Sequence, residues 1–148
     1  MEYAKTTQVP IERSKMEIER TLMRYGAHDF AYRNDGKRAI IMFAVNQRAV
    51  RFTLPLPPME GFSQGKKKSY SQEQTFNRWE QACRERWRAL SLVIKAKLEA
   101  VATGITVFDE EFLAHIITAS GKTIGERILP ELETSIKRAA SLPLLPGA

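Results

Sequence analysis

Residues 71–104 read SQEQTFNRWEQACRERWRALSLVIKAKLEAVATG, and the rest of the chain organises around them. Ser71 and Gln74 stand three apart, a capping box in which each side chain satisfies the other's backbone N–H. Phe76, Cys83, Trp87, Leu90, Ile94, Leu98 and Val101 then recur at spacings of three, four and seven, an apolar stripe along one helix. Gly104 ends it, because glycine takes the left-handed conformation without strain. A second stripe runs beside the first: at about 100° per residue, Arg84, Arg88 and Lys95 fall within about 40° of one another, roughly a quarter-turn from the seam. Arg78 lies on the side away from the seam, while Arg86 and Lys97 flank it. The stretch builds a core with one face and offers positive charge with another.

Immediately upstream, the segment from Pro55 to Tyr70 carries Gly61, Gly65 and the run Lys66, Lys67, Lys68. A connection of this length is functional or mobile. Pro55, Pro57 and Pro58 close a sheet, since proline cannot donate to a ladder. Three strands precede them. His28–Arg33 alternates, with Phe30 and Tyr32 on one face. Asn34-Asp35-Gly36-Lys37 is a hairpin turn signal. Arg38–Val45 is apolar on both faces and reads as the central strand. Asn46-Gln47 turns the chain again. Arg48–Leu54 puts Val50, Phe52 and Leu54 inward, with Arg51 and Thr53 outward. An antiparallel meander follows. Before it, Ile11, Ile18, Leu22 and Tyr25 share a helical face that Gly26 terminates. Pro10 suits the first helical position, and Ser14 with Glu17 offers a later start. Glu2–Thr7 reads as a short first strand.

Downstream, Thr106 with Asp109 predicts a third helix bearing Phe112, Leu113 and Ile116. Thr123 with Glu126 predicts a fourth, with Pro130 kinking or ending it. The tail from Leu142 to Ala148 is apolar and proline-rich, a segment that docks or frays. The expected architecture is α+β. A small antiparallel sheet of three or four strands is packed by one helix, then followed by a long helix and a C-terminal helical segment. One domain is expected over 1–148, divided into a β-α-β-β-β part (1–58), a basic flexible loop (59–70) and a helical part (71–148).

Net charge is +6 and uneven. Residues 1–58 hold ten Lys/Arg against six Asp/Glu, residues 59–103 nine against five, and residues 104–148 four against six. The first two thirds therefore carry the whole positive excess, which attracts polyanions. The single cysteine, Cys83, excludes an internal disulfide. No run approaches the roughly 18–20 apolar residues of a membrane span. The opening Met1-Glu2-Tyr3-Ala4-Lys5 has no apolar signal core. A cytoplasmic protein is expected, with no membrane partner.

Candidate chemistry dissolves under spacing rules. Gly121-Lys122-Thr123 resembles the end of a phosphate loop, but Ile116 stands where the loop needs glycine. Glu111 and His115 lie four apart without the further ligands a metal site needs. Cys83 sits on the apolar seam, an inert core thiol rather than a nucleophile. Asp109, Glu110 and Glu111 start a helix, where negative charge offsets the macrodipole. No cofactor and no catalytic activity are expected.

The order helix, three-stranded meander, lysine-rich lead-in and helix is similar to a double-stranded-RNA-binding domain over residues 10–100. It lacks that family's Gly-Pro-x-His loop, and no contact residues follow from it. The runs Tyr25-Gly26-Ala27, Arg51-Phe52-Thr53-Leu54-Pro55-Leu56-Pro57, Arg86-Trp87-Arg88-Ala89-Leu90 and Phe112-Leu113-Ala114-His115-Ile116 resemble small proteins of tailed phages and prophages. That likeness implies a host-cytoplasm setting and no mechanism. The leading expectation is non-enzymatic, largely sequence-independent nucleic-acid binding, DNA before RNA. Lys66, Lys67, Lys68, Arg84, Arg88 and Lys95 would meet phosphates, with Arg51 and Arg78 accessory. Trp79 would be available to stack on a base. The alternative is a protein-interaction module, an inhibitor of a host defence protein or an oligomeric scaffold. It would use the long helix, the apolar tail and exposed aromatics near Phe62, Tyr70 and Trp79.

Overall fold

A computed structural model describes residues 9–137. The chain is α+β, in the order expected. Helix α1 (Ile11–Arg24) leads into strands β1 (His28–Asn34), β2 (Arg38–Val45) and β3 (Arg48–Pro55). The long helix α2 (Gln72–Ala102) follows, and then the short helices α3 (Phe108–Glu111), α4 (Ile124–Ile128) and α5 (Leu132–Lys137). No helix among the described residues is long and apolar enough to cross a membrane. The expected strand at Glu2–Thr7 and the apolar tail from Leu142 lie outside the described residues.

The sheet is an antiparallel meander in the order β1-β2-β3. Asp35 makes the first turn: its carboxylate accepts from the backbone N–H groups of Lys37 and Arg38, both at 3.0 Å. Those bonds hold the Asp35 carboxyl below the usual range. Register places Ile41 opposite Phe52, and Phe43 opposite Val50. One sheet face is therefore Ala39, Ile41, Phe43 and Val45 with Val50, Phe52 and Leu54, all buried. The opposite face, Ile40, Met42 and Ala44, is only half-buried. Both main helices close the first face, with Ile18 and Leu22 from α1 and Cys83, Trp87, Ile94 and Leu98 from α2. Tyr32, beside Ile41 in register, lies at the margin of this layer. Partial burial, and then the Glu19 carboxylate, push its hydroxyl up to about 12.

Several local signals act as the sequence implies. Ser71 and Gln74 form both bonds of the capping box. Gly26, Gly36, Gly104 and Gly121 all adopt positive φ. Thr123 caps α4, and Pro130 sits in a 3-10 turn that separates α4 from α5. Other signals give way to packing. Pro10 is the N-cap of α1 rather than its first residue, and Ser14 is fully buried inside that helix, not at its start. Phe76 is 44 % exposed, so the α2 seam begins in earnest at Cys83. The third helix shrinks to the single turn α3, whose N-cap is Val107 and not Thr106. After a 3-10 turn at Leu113–His115 the chain runs extended instead, and Ile116 bridges the free edge of β3 at Val50. The Ile117 N–H donates to the Ala49 carbonyl at 2.8 Å. An edge strand's unpaired N–H and C=O groups offer this segment partners in place of further helical bonds.

Candidate nucleic-acid interface

Helix α2 is 31 residues long, about 46 Å at the standard rise. Helix α1 runs beside it in the same direction. Lys15 lies over the Trp87 ring at 4.9 Å, Glu17 meets Arg88, and the Tyr25 hydroxyl donates to Glu99 at 2.9 Å. Ser14 and Ser91 are both buried in this helical layer. The azimuth of α2 that faces α1 carries Ser91, Arg88 and Lys95, so the basic stripe seen in the sequence looks toward a neighbouring helix.

The cations of that stripe then divide. Arg84 is held within its own helix: it donates to Glu80 at 2.7 Å and to the Gln81 amide oxygen at 2.7 and 3.0 Å. Arg88 pairs with Glu17 of α1, which Arg13 also approaches at 3.5 Å. Lys95 remains exposed, without a carboxylate within ion-pair distance among the described residues. It lines a groove of about 330 Å³ between α1 and α2, together with Arg20, Thr21 and Arg24 of α1 and Arg88 and Ser91 of α2. Arg20 and Arg24 are exposed and likewise have no such partner among the described residues. They stand four apart on α1, so they share a helical face. Among the described residues Glu17 is the one carboxylate lining the groove, and it is committed to Arg88. Arg20 and Arg24 lie outside the stripe predicted from the α2 sequence. Their signal was present: both fall outside the Ile18–Leu22 face of a helix read only for its apolar side.

The other expected contact residues lie elsewhere. Arg51 is on the outward face of β3, where its guanidinium donates to the Gly121 carbonyl at 3.0 Å and to Glu126 at 2.7 Å. That bond holds the Glu126 carboxyl below its ordinary value. Arg51 thus fastens the 117–126 segment to the sheet. Arg78 donates to the Phe62 carbonyl and lies 4.1 Å over the Tyr70 ring. Lys66, Lys67 and Lys68 sit on an exposed turn closed by the Gly65 N–H to the Lys68 carbonyl at 2.8 Å. Gln64 and Ser69 bridge across it. The 59–70 connection therefore carries backbone order of its own. It packs at the Arg78 end of α2, about 25 Å of helix rise from Lys95, so the lysine run and the groove are separate places. Phe62, Tyr70 and Trp79 are half-buried rather than splayed out, and the Trp79 indole donates to the Pro57 carbonyl at 2.8 Å. None of the three is a free stacking platform.

The groups weighed for catalysis are also spoken for. Cys83 is buried, which raises its thiol pKa. Glu111 accepts from Lys97 at 3.2 Å, and Asp109 holds Arg48 by two bonds of 3.1 Å. His115 stacks on Phe52 with ring centroids 4.1 Å apart. Burial, and then the Lys97 charge, lower its pKa. Among the described residues no three His, Cys, Asp or Glu side chains are grouped to hold a metal ion. No family model, curated protein or solved structure matches the chain.

Proposed function

We propose that this protein binds nucleic acid through the α1–α2 groove, largely without regard to sequence. The observation that supports it is the groove's composition: Arg20, Arg24 and Lys95 stand exposed on two helices around a polar trough, and the one carboxylate lining it among the described residues is already paired. Such cations meet phosphates rather than base edges, so they position a nucleic acid without reading it. Arg88 braces α1 against α2 in this reading. Arg84, Arg51 and Arg78 are structural, and Lys66, Lys67 and Lys68 supply a weaker second contact beyond the groove. DNA in a tailed-phage setting remains the preferred ligand.

The test is fluorescence anisotropy of labelled duplex and single strands against the full chain. Three phosphate contacts give a log–log salt slope near −3, so affinity should fall about fortyfold between roughly 50 and 200 mM salt. Replacing Arg20, Arg24 and Lys95 by alanine should remove most of that dependence. Absence of binding at the lower salt ends the proposal.

One observation favours a second reading. Ile128, Leu129, Leu132 and Ile136 are 54, 63, 43 and 50 % exposed along α4–α5, a stripe of apolar surface suited to a protein partner or another copy of the chain. Light scattering tests it: an oligomer that Leu132→Asp dissolves would support a scaffold or inhibitor role, and a monomer would not.

A further inference from the structure

On the flank of α2 away from the groove, a second cavity of about 460 Å³ opens between this helix and β3. Its walls are apolar. Phe52, Leu54 and Ala89 are buried, and Leu90 and Val93 are half-buried beside them. The volume falls in the range of small-molecule sites. Arg86, Leu90, Val93 and Lys97 follow one line along α2, so the cavity extends roughly 16 Å at the helical rise.

Its two ends differ in charge. At one end Arg86 is exposed, with no carboxylate within ion-pair distance among the described residues. At the other, Lys97 is tied to the Glu111 carbonyl and carboxylate at 3.1 and 3.2 Å. There His115 stacks on Phe52 and closes the wall. Burial, and then the Lys97 charge, lower the His115 pKa and favour the neutral ring, so the far end is a ring pair beside an ammonium already neutralised by Glu111. Among the described residues Glu85 is the one carboxylate lining the cavity, and with Lys97 neutralised by Glu111 the available cation is Arg86. Among the described residues, one available guanidinium, an apolar trough and an aromatic end whose cation is already paired form a sequence of environments that matches an elongated amphiphile with an anionic head.

We propose that the α2–β3 cavity binds a small amphipathic carboxylate, its head on Arg86 and its hydrocarbon chain along Leu90 and Val93 toward the His115–Phe52 pair. A guanidinium engages a carboxylate by two parallel hydrogen bonds, which fixes the orientation. The apolar chain supplies the burial. This site is independent of the α1–α2 groove, and its loss leaves polyanion binding unchanged.

The test uses octanoate as the probe, titrated into the full chain by calorimetry, with 1-octanol and octylammonium as comparisons. Octanoate should bind one to one and at least about tenfold more tightly than octylammonium, the scale of one charge-assisted contact. Arg86→Ala should cost octanoate about tenfold while leaving octanol within about twofold. Val93→Trp should abolish binding of both. If that variant fails to fold by circular dichroism, methyl chemical shifts of the unaltered protein replace it. Octanoate must then move Leu54, Leu90 and Val93. No binding, equal affinity for octanoate and octylammonium, or shifts confined to other methyl groups would overturn the proposal.

Discussion

The two flanks of α2 are built from the same helix and leave different things unfinished. The flank toward α1 is cationic and polar, with Arg20, Arg24 and Lys95 facing water. The flank toward β3 is apolar, with Leu90 and Val93 over Phe52. Lys95 and Val93 are two residues apart in the chain and about 160° apart around the helix. What differs is the neighbour each flank meets. Among the described residues helix α1 brings Arg20, Arg24 and one acid, Glu17, to the groove, so positive charge accumulates. Strand β3 brings alternate residues, and its inward set is apolar. A stripe on one helix therefore becomes a site only through what the next element adds. Arg84, which has Glu80 one helical turn earlier, shows the opposite outcome within the same stripe.

Trp87 lies between the flanks and belongs to the core that supports both. Its replacement by alanine gives the largest effect, a loss of about 3–5 kcal/mol in urea unfolding, and both sites should fail together. Survival of one site in that variant would show that the flanks do not share a support. Glu17→Gln sharpens the comparison from the other side. It removes the one acid lining the groove among the described residues and releases Arg88, whose side chain is 27 % exposed. Stability should fall by no more than about 1 kcal/mol. Affinity for a DNA duplex, read by anisotropy, should rise several-fold while octanoate binding stays constant.

His115 marks the apolar flank by its pH response. Its pKa in the folded chain is depressed below the ordinary value of 6.5, so the unfolded chain binds the proton more readily. The neutral ring's contribution is complete above about pH 6.5 and is lost as pH falls. Unfolding free energies of the protein and of His115→Gln, measured from about pH 7 down to about pH 5, should converge on acidification. A constant difference would mean that the ring is not desolvated. The smallest effect is expected at Arg84. Its ion pair with Glu80 lies within one helix, so Arg84→Gln should change stability by about 0.5 kcal/mol or less and leave DNA affinity unchanged.

The elements written by local chemistry were legible in the sequence. Asp35-Gly36, Ser71 with Gln74, Gly26 and Gly104 place turns and helix ends within a few residues, and alternation identifies the inward face of β3. The site was legible only in part. Lys95 and the basic azimuth could be read from periodicity. The commitment of Arg88 to Glu17, 71 residues away, could not, because it depends on how α1 packs on α2. Arg51 reads as an outward strand residue and is one, yet Gly121 and Glu126 reach it from a distant segment. The third helix failed for a related reason. Its cap signal at Thr106 and Asp109 was local, whereas the free edge of β3 competed for Ile116 and Ile117 from outside.

Whether the groove cations meet phosphates is tested most directly by the salt dependence of DNA binding by the protein and by its Arg20→Ala, Arg24→Ala, Lys95→Ala variant. The prediction is a slope near −3 or steeper for the protein, most of it lost in the variant, with an unchanged urea midpoint. Equal slopes for the two chains, with the lysine turn at residues 66–68 left intact in both, would contradict it.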